Sequence, residues 1–158
     1  MHFIIIIFLH VVLFASSYDF TESKYVSAVS ASFEKEGNIN IQKNRVIIVY
    51  KKPSHKKIIE DDNNVSIEDS EGKIYHLKNK AKFYTKLFID IMVRLGDFNE
   101  LKSNEDFDVQ KDENLYNLTF KGDLADSIVK AEVKVKKSKV LSFKMFMPND
   151  DTLKITKK

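Results

Sequence analysis

Apolar and polar residues alternate with period two along most of this chain, and one segment changes to a helical period. From Tyr25, the residues Val26, Ala28 and Ser30 alternate with polar or small neighbours up to Phe33, which predicts a first strand. Gly37 breaks the run, after which Ile39 and Ile41 alternate with Asn38 and Asn40. Val46 to Tyr50 is β-branched and aromatic, and Pro53 ends that strand because proline donates no ladder hydrogen bond. Ile58-Ile59 opens another strand. The polar cluster Glu60 to Asn64 reads as a turn, with Val65 and Ile67 alternating on the return. Glu71-Gly72 is a second turn, followed by an apolar stretch from Ile74 to Leu77.

The period then changes. Phe83, Leu87, Ile91 and Leu95 recur at helical spacing, Tyr84, Phe88 and Met92 form an adjacent stripe, and Gly96 supplies a stop, which predicts a helix over Lys80 to Leu95. Strands resume with Phe107 and Val109, then with Tyr116, Leu118 and Phe120 on one face. Ala131, Val133 and Val135 alternate strictly with lysines and Glu132. Lys137-Ser138-Lys139 turns the chain into Leu141, Phe143, Met145 and Met147, and a last turn at Pro148 to Asp151 precedes Leu153 and Ile155.

These elements make an antiparallel meander with one helical insertion, each strand having a wet and an apolar face. A helix of about four turns is little cover for roughly eight strands or more, so the sheet is expected to curl around it. The fold class is mainly β (α+β): a half-open, strongly curved antiparallel β-barrel with a helical lid.

The N-terminus stands apart. Phe3 to Phe14 is apolar except for His10. It is shorter than the roughly 20 residues of a membrane span and fits the apolar region of about 7–15 residues in a secretion signal. Ala15-Ser16-Ser17 supplies small residues for cleavage, expected after Ser17, although no Lys or Arg precedes the apolar run. The expected organisation is a signal peptide over residues 1–17 and one domain over 18–158; an uncleaved anchor or a buried N-terminal strand is the other reading.

Composition adds mainly exclusions. The charged fraction is 31%, yet 26 Lys and Arg against 23 acidic residues leave a net charge of only +3. Lysines alternate with apolar residues instead of forming a block, and the arginines are Arg45 and Arg94 alone, so nucleic acid is not an expected partner. The absence of cysteine removes disulfides, thiolate metal sites, cysteine nucleophiles and a lipid-modified N-terminal cysteine. His55 and His76 lack metal-ligand spacing, and the acidic pairs Asp61-Asp62, Glu68-Asp69 and Asp150-Asp151 fall in turns, where Asp bonds nearby backbone. No phosphate loop, nucleophile elbow or zinc-protease motif occurs, so no enzyme activity, cofactor or metal is expected.

The run Ile58 to Asp69 resembles the strand–turn–strand pattern of the LolA family of periplasmic lipoprotein carriers. Gly37-x-Ile39-x-Ile41 followed by Tyr50-x-x-Pro53 is similar to that family's first hairpin, Tyr116-x-Leu118 to a later strand, and Ile128 through Phe143, Met145 and Asn149-Asp150 to Ile155 to its closing strands. The resemblance spans most of Ser32 to Ile155. It implies an incomplete barrel with a helical lid, a periplasmic location, lipoprotein acyl chains as cargo, an inner-membrane exporter and an outer-membrane receptor as partners, and a monomer. The sequence departs from the family in several places. Gln42-Lys43-Asn44-Arg45 lacks the family's Arg-Pro, so Lys43 or Arg45 is left as the lid latch. Val46 and Ile48 are aliphatic where aromatics are usual, Ser66 stands where Trp is common, and the family's N-terminal helix is largely missing.

What remains is apolar surface. Phe83, Leu87, Phe88, Ile91 and Met92 on the helix, with Ile48, Tyr50, Ile67, Leu118, Phe143 and Met145 on strands, are the expected lining of a lipid cavity, because Met and Phe repack readily around flexible chains. The helix is the candidate lid. Two alternatives stay open: a carrier of another acylated lipid or exported hydrophobic product, and a non-catalytic envelope protein with a filled core.

Overall fold

A computed structural model describes residues 16–62, 64–96 and 101–158. The period-two segments become eleven strands of one antiparallel sheet: β1 (Ser16–Val26), β2 (Ala31–Gln42), β3 (Arg45–Lys52), β4 (Lys56–Asp61), β5 (Asn64–Glu68), β6 (Ile74–His76), β7 (Phe107–Asp112), β8 (Leu115–Phe120), β9 (Lys130–Lys136), β10 (Lys139–Phe146) and β11 (Thr152–Lys157). Among the described residues the one α-helix, α1, covers Asn79–Gly96, one residue longer at each end than its periodicity predicts.

The strand order is β6-β5-β4-β3-β2-β1-β11-β10-β9-β8-β7. Each strand lies beside its sequence neighbours except that β6 and β7 are apart, and one further pairing closes the order. The first and last strands pair in the middle of the sheet, with Phe20 opposite Lys157 and Tyr25 opposite Thr152. The two edges, β6 and β7, are joined through α1 and remain unpaired with each other. The sheet is therefore open, and its longest connection is the helix that crosses from edge to edge.

The curl follows from what α1 touches. Lys86 reaches Glu60 on β4 at 2.9 Å, and Tyr84, two residues earlier, shares a 2.9 Å hydroxyl–hydroxyl bond with Ser127 just before β9. β4 and β9 stand six positions apart in the strand order. A flat sheet would separate them by about 29 Å. A helix with its side chains is only about 10–12 Å across. The sheet must wrap around the helix for neighbouring residues to reach both.

The inner face is assembled by register. Tyr18, Ile39, Ile48, Ile58 and Ile67 stand opposite one another across β1 to β5, while Ile155, Phe143, Val133 and Tyr116 do so across β11 to β8. Each of these except Ile67 is buried, and Ile67 packs against that core. From α1, Ile89, Met92 and Leu95 are buried against it. Each fully buried aliphatic side chain contributes about 1.5–3 kcal/mol, so the in-register rows are the main stabilising feature.

The first strand requires a correction. The expected strand from Tyr25 to Phe33 is instead the tip of a hairpin. Ser27–Val29 forms a 3-10 turn, and Ser30 takes the left-handed conformation with φ 49°. The Ser27-Ala28-Val29-Ser30 stretch lacks large side chains to hold it on a sheet, and its backbone bonds elsewhere: the Ser27 N–H donates to the Asp151 carboxylate at 2.9 Å. Among the described residues the first strand is Ser16–Val26, hidden from the period-two pattern because its third inward position is a charged residue. Tyr18, Phe20 and Glu22 are all buried. Residues 1–15, which hold the expected signal-peptide core, lie outside the described residues; Ser16 and Ser17 pair with Ile41 and Asn40 at the start of β1.

Glycine is required at one inner-face position. Gly37 stands opposite Phe20 on one side and Tyr50 on the other, at a register shift in β2. A Cβ there would lie 2.6 Å from the Val49 carbonyl oxygen and 2.7 Å from the Phe20 ring. The Phe20 ring occupies the space a side chain would fill and meets Tyr50 edge-on, with centroids 5.7 Å apart. At the β9–β10 turn, Lys137 and Ser138 both take positive φ, the geometry of a tight two-residue hairpin.

Candidate lid helix and apolar cavity

Helix α1 is fastened to the inner face by polar contacts along its length. Near its start Lys86 pairs with Glu60, whose side chain lies on the inner face of β4 and is only 15% exposed. In its last turns the Tyr18 hydroxyl donates to the Met92 carbonyl oxygen. Burial pushes the Tyr18 phenol well above its usual range, so it stays a donor at any pH the fold would meet. At the C-terminus, Lys157 Nζ donates to the carbonyl oxygens of Leu95 and Gly96 at 3.4 and 3.5 Å, and lies 4.9 Å from the Tyr18 ring centroid. An ammonium group at a helix C-terminus meets the negative end of the helix dipole and the carbonyls that have no partner within the helix. Gly96 sits close against Tyr18 and Ile41, each 3.1 Å from the place where a Cβ would stand.

A second buried polar group supports β1. Glu22 accepts from the Tyr50 hydroxyl at 2.5 Å and from Lys35 Nζ at 3.0 Å. Burial raises the Tyr50 phenol, and the neighbouring Glu22 carboxylate raises it further. A carboxylate held between a phenol and an ammonium is a satisfied ion rather than an orphan charge.

Between α1 and the β7–β10 half of the sheet lies a cavity of 160 Å³. Leu87, Ile91 and Leu95 form its roof from the helix, and Leu118, Phe120, Val133, Val140 and Phe143 form its floor and walls. Leu101, Phe107 and Leu124 close one end. Four charged or polar residues share the lining: Asp90 and Arg94, one turn apart on α1, and Asn104 and Asp106, on the segment leading into β7. Partial desolvation beside the cavity raises the carboxyl of Asp90, which is otherwise exposed, and Glu60 adds to this, against the lowering effect of Lys86 and Arg94.

Of the residues expected along a lipid cavity, Leu87, Ile91, Leu118 and Phe143 line this one. Ile48, Tyr50, Met92 and Met145 are buried in the general core, and Ile67 and Phe88 pack against it. Phe83 is 54% exposed and stacks edge-on with exposed Tyr84. Lys43 and Arg45, the candidate latch residues, stand at the β2–β3 turn and line a separate polar cleft with Glu60 and Asp62; Arg45 Nε is 3.6 Å from Asp61. Polar contacts on α1 come instead from Lys86, Tyr84, Tyr18 and Lys157. Tyr18 and Lys157 are hidden in the sequence because a tyrosine or lysine on a strand looks like surface, and only their inward register, opposite Ile39 and Phe20, marks them.

Among the described residues no cluster of His, Asp or Glu could hold a metal ion, and no helix is long and apolar enough to cross a membrane. No protein-family model matches the chain, and no curated protein matches it. Among solved structures, it is similar to a DUF1329 family protein from Desulfovibrio piger, at 12% identity over 93% of this chain and 85% of the other, with a TM-score of 0.47. It is also similar to a domain named for outer membrane lipoprotein sorting, from Vibrio parahaemolyticus, at 6% identity over 91% of this chain and 83% of the other, with a TM-score of 0.45.

Proposed function

We propose that this protein is a non-enzymatic carrier of apolar chains, holding its cargo between α1 and the inner face of the sheet. One observation carries the reading. A single helix about 27 Å long covers the concave face of an eleven-stranded sheet, and leaves an apolar cavity at the β7–β10 side. A cavity of 160 Å³ is comparable to an engineered one that binds benzene, about 150 Å³, so a longer chain enters only if α1 moves outward. The polar contacts that hold α1 can be exchanged for water. Each acyl CH₂ buried in return contributes about 0.8 kcal/mol.

In this reading residues 1–17 are a cleaved export signal and residues 18–158 a single carrier domain working in the periplasm. The chain is then a short, divergent relative of the LolA-type carriers, taking lipoprotein acyl chains from an inner-membrane exporter to an outer-membrane receptor. The small cavity and the missing Arg-Pro favour a second cargo within the same mechanism, another acylated lipid or exported hydrophobic product. Mass spectrometry of protein purified from envelope extracts tests the reading. Co-purified lipoprotein supports the first cargo and free lipid the second. Leu87→Asp places a charge in the cavity roof and is expected to abolish binding of a fluorescent fatty-acyl probe. Unchanged probe binding by that variant sinks the mechanism.

A further inference from the structure

The cavity has a polar side as well as an apolar depth, and the two differ in character. Asp90 and Arg94 are four residues apart on α1, so they project from the same helix face. Both are exposed, and both line the cavity whose roof is Leu87, Ile91 and Leu95. Asp106, exposed on the segment leading into β7, lines the same cavity. That segment is held in shape. The Asn104 side-chain oxygen accepts from the backbone N–H groups of Asp106 and Phe107, each at 2.9 Å. Ser103 Oγ accepts from the Val109 N–H at 2.8 Å, and Lys121 Nζ donates to the Asn104 carbonyl at 3.2 Å. The Asn104 side-chain oxygen is thus taken by the loop, and the charged groups left to meet a ligand are two carboxylates and one guanidinium. The helix-terminal role that a basic residue in the last turn would otherwise fill belongs to Lys157.

Resting on the carrier reading, we propose that the cargo is a single-chain amphiphile with a zwitterionic head: its alkyl chain lies between Leu87, Ile91 and Phe143, its anionic group meets Arg94, and its cationic group sits between Asp90 and Asp106. A guanidinium presents a fork of donors suited to a phosphate- or carboxylate-type anion. Two carboxylates flanking it repel a purely anionic head and attract an ammonium beside the anion. The volume limits the apolar part. At 160 Å³ the cavity admits a chain of about six carbons without movement of α1. A bulky multi-chain lipid fits neither the volume nor the single charged rim.

The test uses the full chain and four hexyl probes with different heads: phosphocholine, sulfate, trimethylammonium and a neutral glucoside, with dodecyl counterparts as a second set. Calorimetric titration is expected to give hexylphosphocholine a dissociation constant on the order of 0.1–1 mM, about tenfold tighter than each of the other three. Arg94→Gln is expected to erase the advantage over the trimethylammonium probe. Asp90→Asn with Asp106→Asn is expected to erase the advantage over the sulfate probe. All three positions are exposed, so these variants should keep the unfolding midpoint of the parent, which is checked alongside. Equal affinity for all four heads overturns the headgroup inference and leaves the carrier reading standing. Binding of dodecyl but not hexyl probes, whatever the head, overturns the short-chain assignment. Failure of every probe at both lengths overturns the inference and the carrier reading together.

Discussion

Single residues set the shape of the inner face. Gly37 has Phe20 and the Val49 carbonyl where a side chain would stand, so Gly37→Ala must push an aromatic ring or a backbone strand aside. The expected cost is about 1–3 kcal/mol, read as a lowered midpoint in urea unfolding. An unchanged midpoint would show that Phe20 can swing away freely. Asp69 illustrates a pH effect. Its carboxylate accepts from the backbone N–H of Lys73 and of Glu71, which holds its pKa below the ordinary value. A depressed carboxyl stabilises the fold above its unfolded pKa, about 3.9, and loses that contribution as pH falls through the folded value. The β5–β6 turn is therefore expected to loosen selectively in acid, seen as a lower amide-exchange protection factor at Gly72 and Lys73. Asp69→Ala should show that lower protection already at neutral pH.

At the scale of elements, the question is what holds α1 down. The Tyr18 hydroxyl on the Met92 carbonyl and the Lys157 ammonium on the helix end act on the C-terminal half, and Lys86 with Glu60 on the N-terminal half. Tyr18→Phe removes one hydrogen bond at nearly constant shape, expected to cost about 0.5–1.5 kcal/mol. Because the contact joins α1 to β1, the loss should appear as faster amide exchange along α1 with little change in β9 and β10. Equal acceleration everywhere would mean that α1 opens only with the whole fold. The helix itself was legible from the spacing of Phe83, Leu87, Ile91 and Leu95, and the closing hairpin from the strict alternation of Ala131, Val133 and Val135. The first hairpin was not. Glu22 occupies an inward position where the pattern calls for an apolar residue, because Tyr50 and Lys35, brought there by β3 and β2, satisfy it. Sequence periodicity cannot see a partner that arrives from another strand.

The whole molecule is an open sheet whose two edges are far apart in the strand order and are spanned by the one helix between them in sequence. The alternating pattern foretold the one-sided sheet, and the shortage of helix foretold the curl. The strand order was beyond it: pairing of β1 with β11 places the first and last strands mid-sheet and leaves β6 and β7 as the free edges. For the same reason the cavity was only partly legible. Leu87 and Ile91 follow from the helix face, whereas Leu101, Leu124 and Val140 join the lining only because the meander folds back beneath the helix. The polar rim formed by Asp90, Arg94 and Asp106 depends on the same fold-back.

The central claim is that α1 must lift for an apolar chain longer than the resting cavity holds to enter. The chain has no cysteine, so Glu60→Cys with Lys86→Cys provides a unique thiol pair across the helix–sheet contact. Joining the pair with a short, reductively cleavable thiol linker and titrating with a fluorescent dodecyl-chain probe is the direct measurement. The account predicts that the tethered protein loses probe uptake and regains it when the linker is cleaved. Equal uptake by the tethered and released forms would contradict it.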